Sequence, residues 1–257
     1  MKLKLFALIL LAFLAISCTS IAPEDQIPQA RTETNQQPVP SAAEDNSNHQ
    51  MMHEHSANDP HMKMTALRSA QAGDEKRAAE IADKARKAIE KYKDYRAALR
   101  DGFEILLPQV PQKMYHFNKL ENYMEAESRF NPERPTSLLY EKNGNDYRLI
   151  GVMYTAPAGM TEDELNERVP LSVTEWHQHI NICLPKGGDI FKGLIDQGDR
   201  FGIEGSISTR EECEKAGGQF LPRLLGWMVH LYPYEKTPEQ MWSVERQMNP
   251  SDLSHTH

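Results

Sequence analysis

The run Trp176-His177-Gln178-His179-Ile180-Asn181-Ile182-Cys183-Leu184 gathers the side chains most capable of chemistry. Read as a strand, it alternates between two faces. Trp176, Gln178, Ile180, Ile182 and Leu184 point one way; His177, His179, Asn181 and Cys183 point the other. Neutral imidazole and thiolate both bind transition metals. Two histidines at i and i+2 on a strand can grip one ion. His230, in the strand-like Leu225-Gly-Trp-Met-Val-His-Leu-Tyr232, and His116, in a loop at Met114-Tyr-His-Phe-Asn118, complete the histidines of the globular region. Three imidazoles and an open position make a catalytic zinc arrangement; four closed nitrogen ligands make a structural one. The candidate metal ligands are therefore His116, His177, His179 and His230. Tyr115, Asn118, Tyr140, Glu141, Asn181 and Tyr232 are the polar groups available to orient the rings. The competing reading is that these histidines are buried, hydrogen-bonded core residues that hold nothing.

Cys183 has two possible fates. In an oxidising compartment it pairs with Cys213, 30 positions away, and leaves the ligand set. Otherwise it is a thiolate ligand, and Cys213 is a buried free thiol. A Cys183 thiol paired with His177 or His179 as a nucleophile is a third and weaker possibility. No Gly-x-Ser-x-Gly elbow, phosphate loop or dinucleotide fingerprint occurs. Enzyme activity is therefore left undecided.

A second metal-binding composition lies upstream. His49, Met51, Met52, His53, His55, His61, Met62 and Met64 crowd into sixteen residues. Thioether and imidazole suit copper, with methionine favouring Cu(I). His53, His55, His61, Met62 and Met64 are the candidate ligands of this weaker tract. It sits at the end of residues 18–64, a stretch rich in Pro, Gln, Asn, Ser, Thr and acids that lacks the apolar content to fold alone. That stretch reads as a flexible tether.

The tether has something to be tied to. Lys2 and Lys4, the apolar run Leu5–Ile16 and then Ser17 make a signal-peptide pattern over residues 1–17. Leu14-Ala15-Ile16-Ser17-Cys18 resembles a bacterial lipobox. The resemblance implies cleavage before Cys18, lipidation of its thiol and anchoring in a lipid bilayer. With Thr19 next, it implies the periplasmic side of the outer membrane if the host is Gram-negative. The competing readings are an ordinary secreted protein or an uncleaved anchor. A net charge of -8 argues against a nucleic-acid partner; a protein partner is unknown.

The elements that must position the histidines follow from periodicity. Ala78, Ile81, Ala82, Ala85, Ile89, Tyr92 and Leu99 recur at helical steps, so residues 65–102 read as a helix ended by Gly102. Residues 103–250 read as a single α+β domain. Ser137–Glu141 and Tyr147–Thr155 are strands joined by an Asn143-Gly144 hairpin. Thr161-Glu-Asp-Glu164 and Thr209-Arg-Glu-Glu212 open short helices as capping boxes. Leu225–Tyr232 is a last strand, with Met228, His230 and Tyr232 on one face and Trp227, Val229 and Leu231 on the other. The expected fold is α+β: an N-terminal helix followed by a small, mainly antiparallel β-sheet with short helices.

Met114–Asn118, Asn131–Glu141, Leu149–Tyr154 and Trp176–Asn181 together resemble an uncharacterised group of bacterial secreted proteins. The group is marked by a Met–His–Asn turn and a Trp-His-x-His strand. The resemblance spans residues 103–242 and implies one compact domain with special positions for His116 and His177; it implies no function. The His-x-His strand also resembles that of cupins in part, but the acidic ligand that follows in cupins is missing, with Cys183 and Leu184 in its place.

The sequence thus points to a membrane-anchored lipoprotein outside the cytoplasm, binding a transition metal, copper or zinc, through clustered histidines. The alternatives are a metal-dependent enzyme of unknown reaction and a metal-free envelope binding or structural module.

Overall fold

Runs alternating on a two-residue period become seven strands. They are β1 (Met62–Met64), β2 (Glu104–Ile105), β3 (Tyr115–Asn118), β4 (Ser137–Asn143), β5 (Asp146–Ala156), β6 (His177–Pro185) and β7 (Gly218–Leu231). They hydrogen-bond into one antiparallel sheet in the order β1-β6-β7-β5-β4-β3-β2. The computed structural model describes residues 59–187, 193–194 and 200–243. Residues 1–17, read from sequence as a signal peptide, and Cys18, His53 and His55 lie outside the described residues.

The fold is α+β, and the sheet is wider than the small one expected. The helix expected over residues 65–102 is three pieces: α1 (Asp74–Ile89), a 3₁₀ turn (Glu90–Lys93) and α2 (Tyr95–Arg100). Residues 65–73 run alongside the approach to β6 instead. Thr65 N–H donates to the Trp176 carbonyl and Arg68 N–H to that of Leu171, at 2.9 Å each. Asp94 breaks the helix with an extended backbone and caps α2 by accepting from Arg96 N–H. Gly102 ends it with φ +90°, which glycine adopts without strain. The hairpin turns at Gly144, φ +60°. The shorter helices are α3 (Leu120–Ala126), α4 (Glu162–Arg168), α5 (Arg210–Lys215) and α6 (Pro238–Met241). Thr161 and Glu164 form the complete capping box of α4, and Thr209 caps α5.

The stripe of α1 packs on one face of the sheet. Ala78, Ile81, Ala82, Ala85 and Ile89 join Phe117, Leu138, Tyr140, Val152, Tyr154, Trp227, Val229 and Leu231 in the main core. Ala85 and Ile89 are fully buried, so α1 packs as part of the domain. The opposite face carries a smaller cluster of Met114, Leu139, Ile150, Met153, Met228 and Tyr232.

Candidate metal centre

His116, expected in a loop, sits in β3. Tyr115 and Phe117 point into the main core, so His116 and Asn118 take the other face. Prolines on the N-terminal side, at 108 and 111, hid this short strand from sequence reading. Its register links it across the sheet. His116 pairs with Leu139, Leu139 with Gly151, and Met153, on the face of Gly151, with His230. His177 pairs with Met228, two residues from His230. Opposed residues in an antiparallel pair share a face. The strand-borne histidines of β3, β6 and β7 therefore all stand on the face away from α1.

The rings form a chain. Their centroids are 5.8 Å apart for His116–His230, 5.5 Å for His230–His177 and 5.5 Å for His177–His179. β3 and β7 are three inter-strand steps apart, which in a flat sheet is about 14 Å. A 5.8 Å approach of their side chains requires the sheet to curl, with the histidines on the concave side. The curl has visible causes. Between His177 and His179, β7 carries a bulge in which Leu225, Gly226 and Trp227 stand opposite Gln178 alone. Leu225 adopts φ +61° there, and bulges bend and twist the strand that bears them. A second irregularity lies at Leu139/Tyr140.

Methionines accompany the imidazoles. His177 is flanked by Met64 on β1 and Met228 on β7; His179 faces Met62, and His230 faces Met153. Met62 and Met64 belong to the tract assigned by composition to the tether; here they are the edge strand of the sheet. His61, in the same tract, is buried. Sequence reading missed this docking, although the Met62-x-Met64 spacing carries the two-residue period of a strand.

Burial makes these imidazoles neutral. It pushes His116 down to about 4, with the neighbouring His179 adding to the effect. It pushes His179 down to about 4 as well, where Asp59 opposes and His61 reinforces the shift. His230 lies well below its ordinary value through burial and the proximity of His177, His116 and His179. A neutral imidazole keeps the lone pair a metal needs.

Two imidazoles sharing one ion at about 2.0–2.1 Å from each nitrogen have ring centroids on the order of 5 Å apart. The observed spacings are close to that. Among the described residues, however, no group of three or more His, Cys, Asp or Glu side chains converges on one point. Binding through this cluster therefore needs the rings to turn about their side-chain torsions.

Cys183 and Cys213 form a disulfide, with Cα atoms 5.5 Å apart. This takes Cys183 out of both the ligand set and the nucleophile reading. Of the candidate orienting groups, Tyr232 reaches the cluster: its hydroxyl lies 3.5 Å from His230 Nδ1. The others are engaged elsewhere. Tyr115 and Tyr140 belong to the main core, and Tyr140 donates to the Tyr92 carbonyl. Glu141 pairs with Arg148. Asn118 accepts from Ser137, and Asn181 donates to the Pro60 carbonyl. Among the described residues no helix is long and apolar enough to cross a membrane. No protein-family model, curated protein or solved structure matches the chain.

Proposed function

We propose that this protein is a lipoprotein anchored outside the cytoplasm that binds a transition metal through His116, His177, His179 and His230. One observation carries the reading: the folded region's widely separated histidines gather along one concave face at 5.5–5.8 Å between successive rings, and burial pushes His116, His179 and His230 toward the neutral form. Burying imidazoles side by side without a ligand offers the fold little, since apolar residues of similar size would fill the space at no desolvation cost. The lipobox-like Leu14–Cys18 supports the anchored, extracytoplasmic part, and the Cys183–Cys213 disulfide is in keeping with an oxidising compartment. The ring chemistry fits copper or zinc.

A metal-free binding or structural module is the second reading. It is favoured by the failure of the nitrogens to converge as the rings stand. Metal analysis of natively purified protein, before and after replacing His177 and His179 by alanine, separates the two. The metal reading expects about one bound ion, lost in the double variant. An empty protein that also refuses added Zn²⁺ and Cu⁺ would leave the metal-free module.

A further inference from the structure

His61 lies one residue before β1 and is 4% exposed. Its backbone is held on both sides: His61 N–H donates to Asp59 Oδ1 at 2.8 Å, and its carbonyl accepts from Ile180 N–H at 2.9 Å. The Asn181 amide adds a bond to the Pro60 carbonyl at 3.0 Å. The ring is held too, with Nε2 2.6 Å from the Gly205 carbonyl. A carbonyl only accepts, so Nε2 carries a proton, and in the neutral tautomer Nδ1 offers the lone pair. That Nδ1 is buried and has no hydrogen-bond partner among the described residues. A backbone carbonyl fixing one ring nitrogen while the other is left free is how metal-ligating histidines are commonly oriented. His61 also lies close enough to His179 to disfavour its charged form.

The strand that follows delivers sulfur. Met62 pairs with His179, and Met64 with His177. Met228 flanks His177 from the other side, and Met153 faces His230. Thioethers and neutral imidazoles are uncharged donors, and among the described residues Asp59 is the carboxylate that acts on His179. A buried site of neutral donors accepts a single positive charge more readily than a double one, because desolvation cost rises steeply with charge. Thioether sulfur selects Cu(I) among the biologically common ions.

We propose that His61 Nδ1 is a ligand of the histidine site, that β1 closes the site as an edge clamp, and that its ion is monovalent copper held by imidazoles and thioethers. This rests on the metal reading given above and goes beyond it in naming the clamp and the ion.

The test uses the full chain with every His and Met between residues 49 and 55, and His255 and His257, replaced by serine. Cu⁺ is titrated anaerobically against a chromophoric Cu(I) chelator, and Zn²⁺ against a zinc dye, for this protein, for His61→Phe and for His177→Ala/His179→Ala. The expected result is one Cu⁺ bound more tightly than Zn²⁺, with His61→Phe weakening it by at least about tenfold. Cu-edge X-ray absorption of the unsubstituted-at-61 protein should show nitrogen and sulfur neighbours, so the clamp is tested even if His61→Phe folds poorly. If His61→Phe folds and binds Cu⁺ as well as its parent while the His177/His179 variant does not, the role of His61 is overturned and the wider metal reading stands. A copper shell without sulfur, or tighter binding of Zn²⁺, overturns the choice of ion. Failure of the parent protein to bind either metal overturns both readings.

Discussion

His116 and His230 hold their ring centroids 5.8 Å apart although two strands, β4 and β5, separate the strands that bear them. The sheet brings them together by curling, and it curls most easily where side chains are smallest. Gly151 stands between Leu139 and Tyr232 on that path.

A Cβ at Gly151 would come within 2.6 Å of the Leu231 carbonyl oxygen and 2.9 Å of the Tyr232 ring. Gly151→Ala must therefore push β5 from β7 or shift Tyr232. Overpacking of this kind costs about 1–3 kcal/mol. Urea unfolding should show a lower midpoint with an unchanged slope. A midpoint equal to that of the parent would mean the sheet is more open at Gly151 than described.

The metal-free protein should lose stability as pH falls through the histidine range. Unfolded histidine titrates near 6.5, whereas burial brings folded His116 and His179 down to about 4 and holds His230 well below its ordinary value. Between these values the unfolded chain binds more protons, so stability rises with pH across that window. It is complete above about 6.5 and drains as pH drops from there toward 4. Each such histidine contributes up to about 1.4 kcal/mol per pH unit. Denaturant midpoints at pH 7, 6, 5 and 4.5 measure this, and His230→Phe should flatten the slope. A pH-independent midpoint over that range would place the imidazoles in water.

The Cys183–Cys213 bridge closes a loop of 30 residues. Such a loop is worth about 3–4 kcal/mol through the entropy of the unfolded chain. Cys183→Ser/Cys213→Ser should lower the denaturant midpoint by that amount without altering metal stoichiometry. Two reactive thiols in unreduced, denatured protein would refute the bridge.

Much of this was legible from short-range chemistry. The Asn143-Gly144 hairpin, the Thr161 capping box, the α1 stripe and the two faces of Trp227–Tyr232 are set by residues within a few positions of one another. So was the disulfide, because compartment and cysteine number left one pairing. What escaped depends on partners far away in the chain. His116 reads as a loop beside prolines, and becomes a strand only because Leu139 offers a ladder. His61, Met62 and Met64 read as tether by composition; Met62 and Met64 become an edge strand through β6, more than a hundred residues on, with His61 just before it. No local pattern reports the bulge at Leu225–Trp227, since it exists only as a mismatch in register against β6, where Gln178 alone stands opposite.

Metal-induced stabilisation of the chain lacking the His and Met residues before Asp59 tests the histidine site most directly. At an ion concentration a hundred times Kd, binding to the folded state adds about 2.7 kcal/mol, a rise in Tm of roughly 5–10 °C for a domain of this size. That rise should appear with one equivalent of Cu⁺ or Zn²⁺ and vanish in His177→Ala/His179→Ala. No rise in the parent, or an equal rise in the double variant, would contradict a metal site on the concave face.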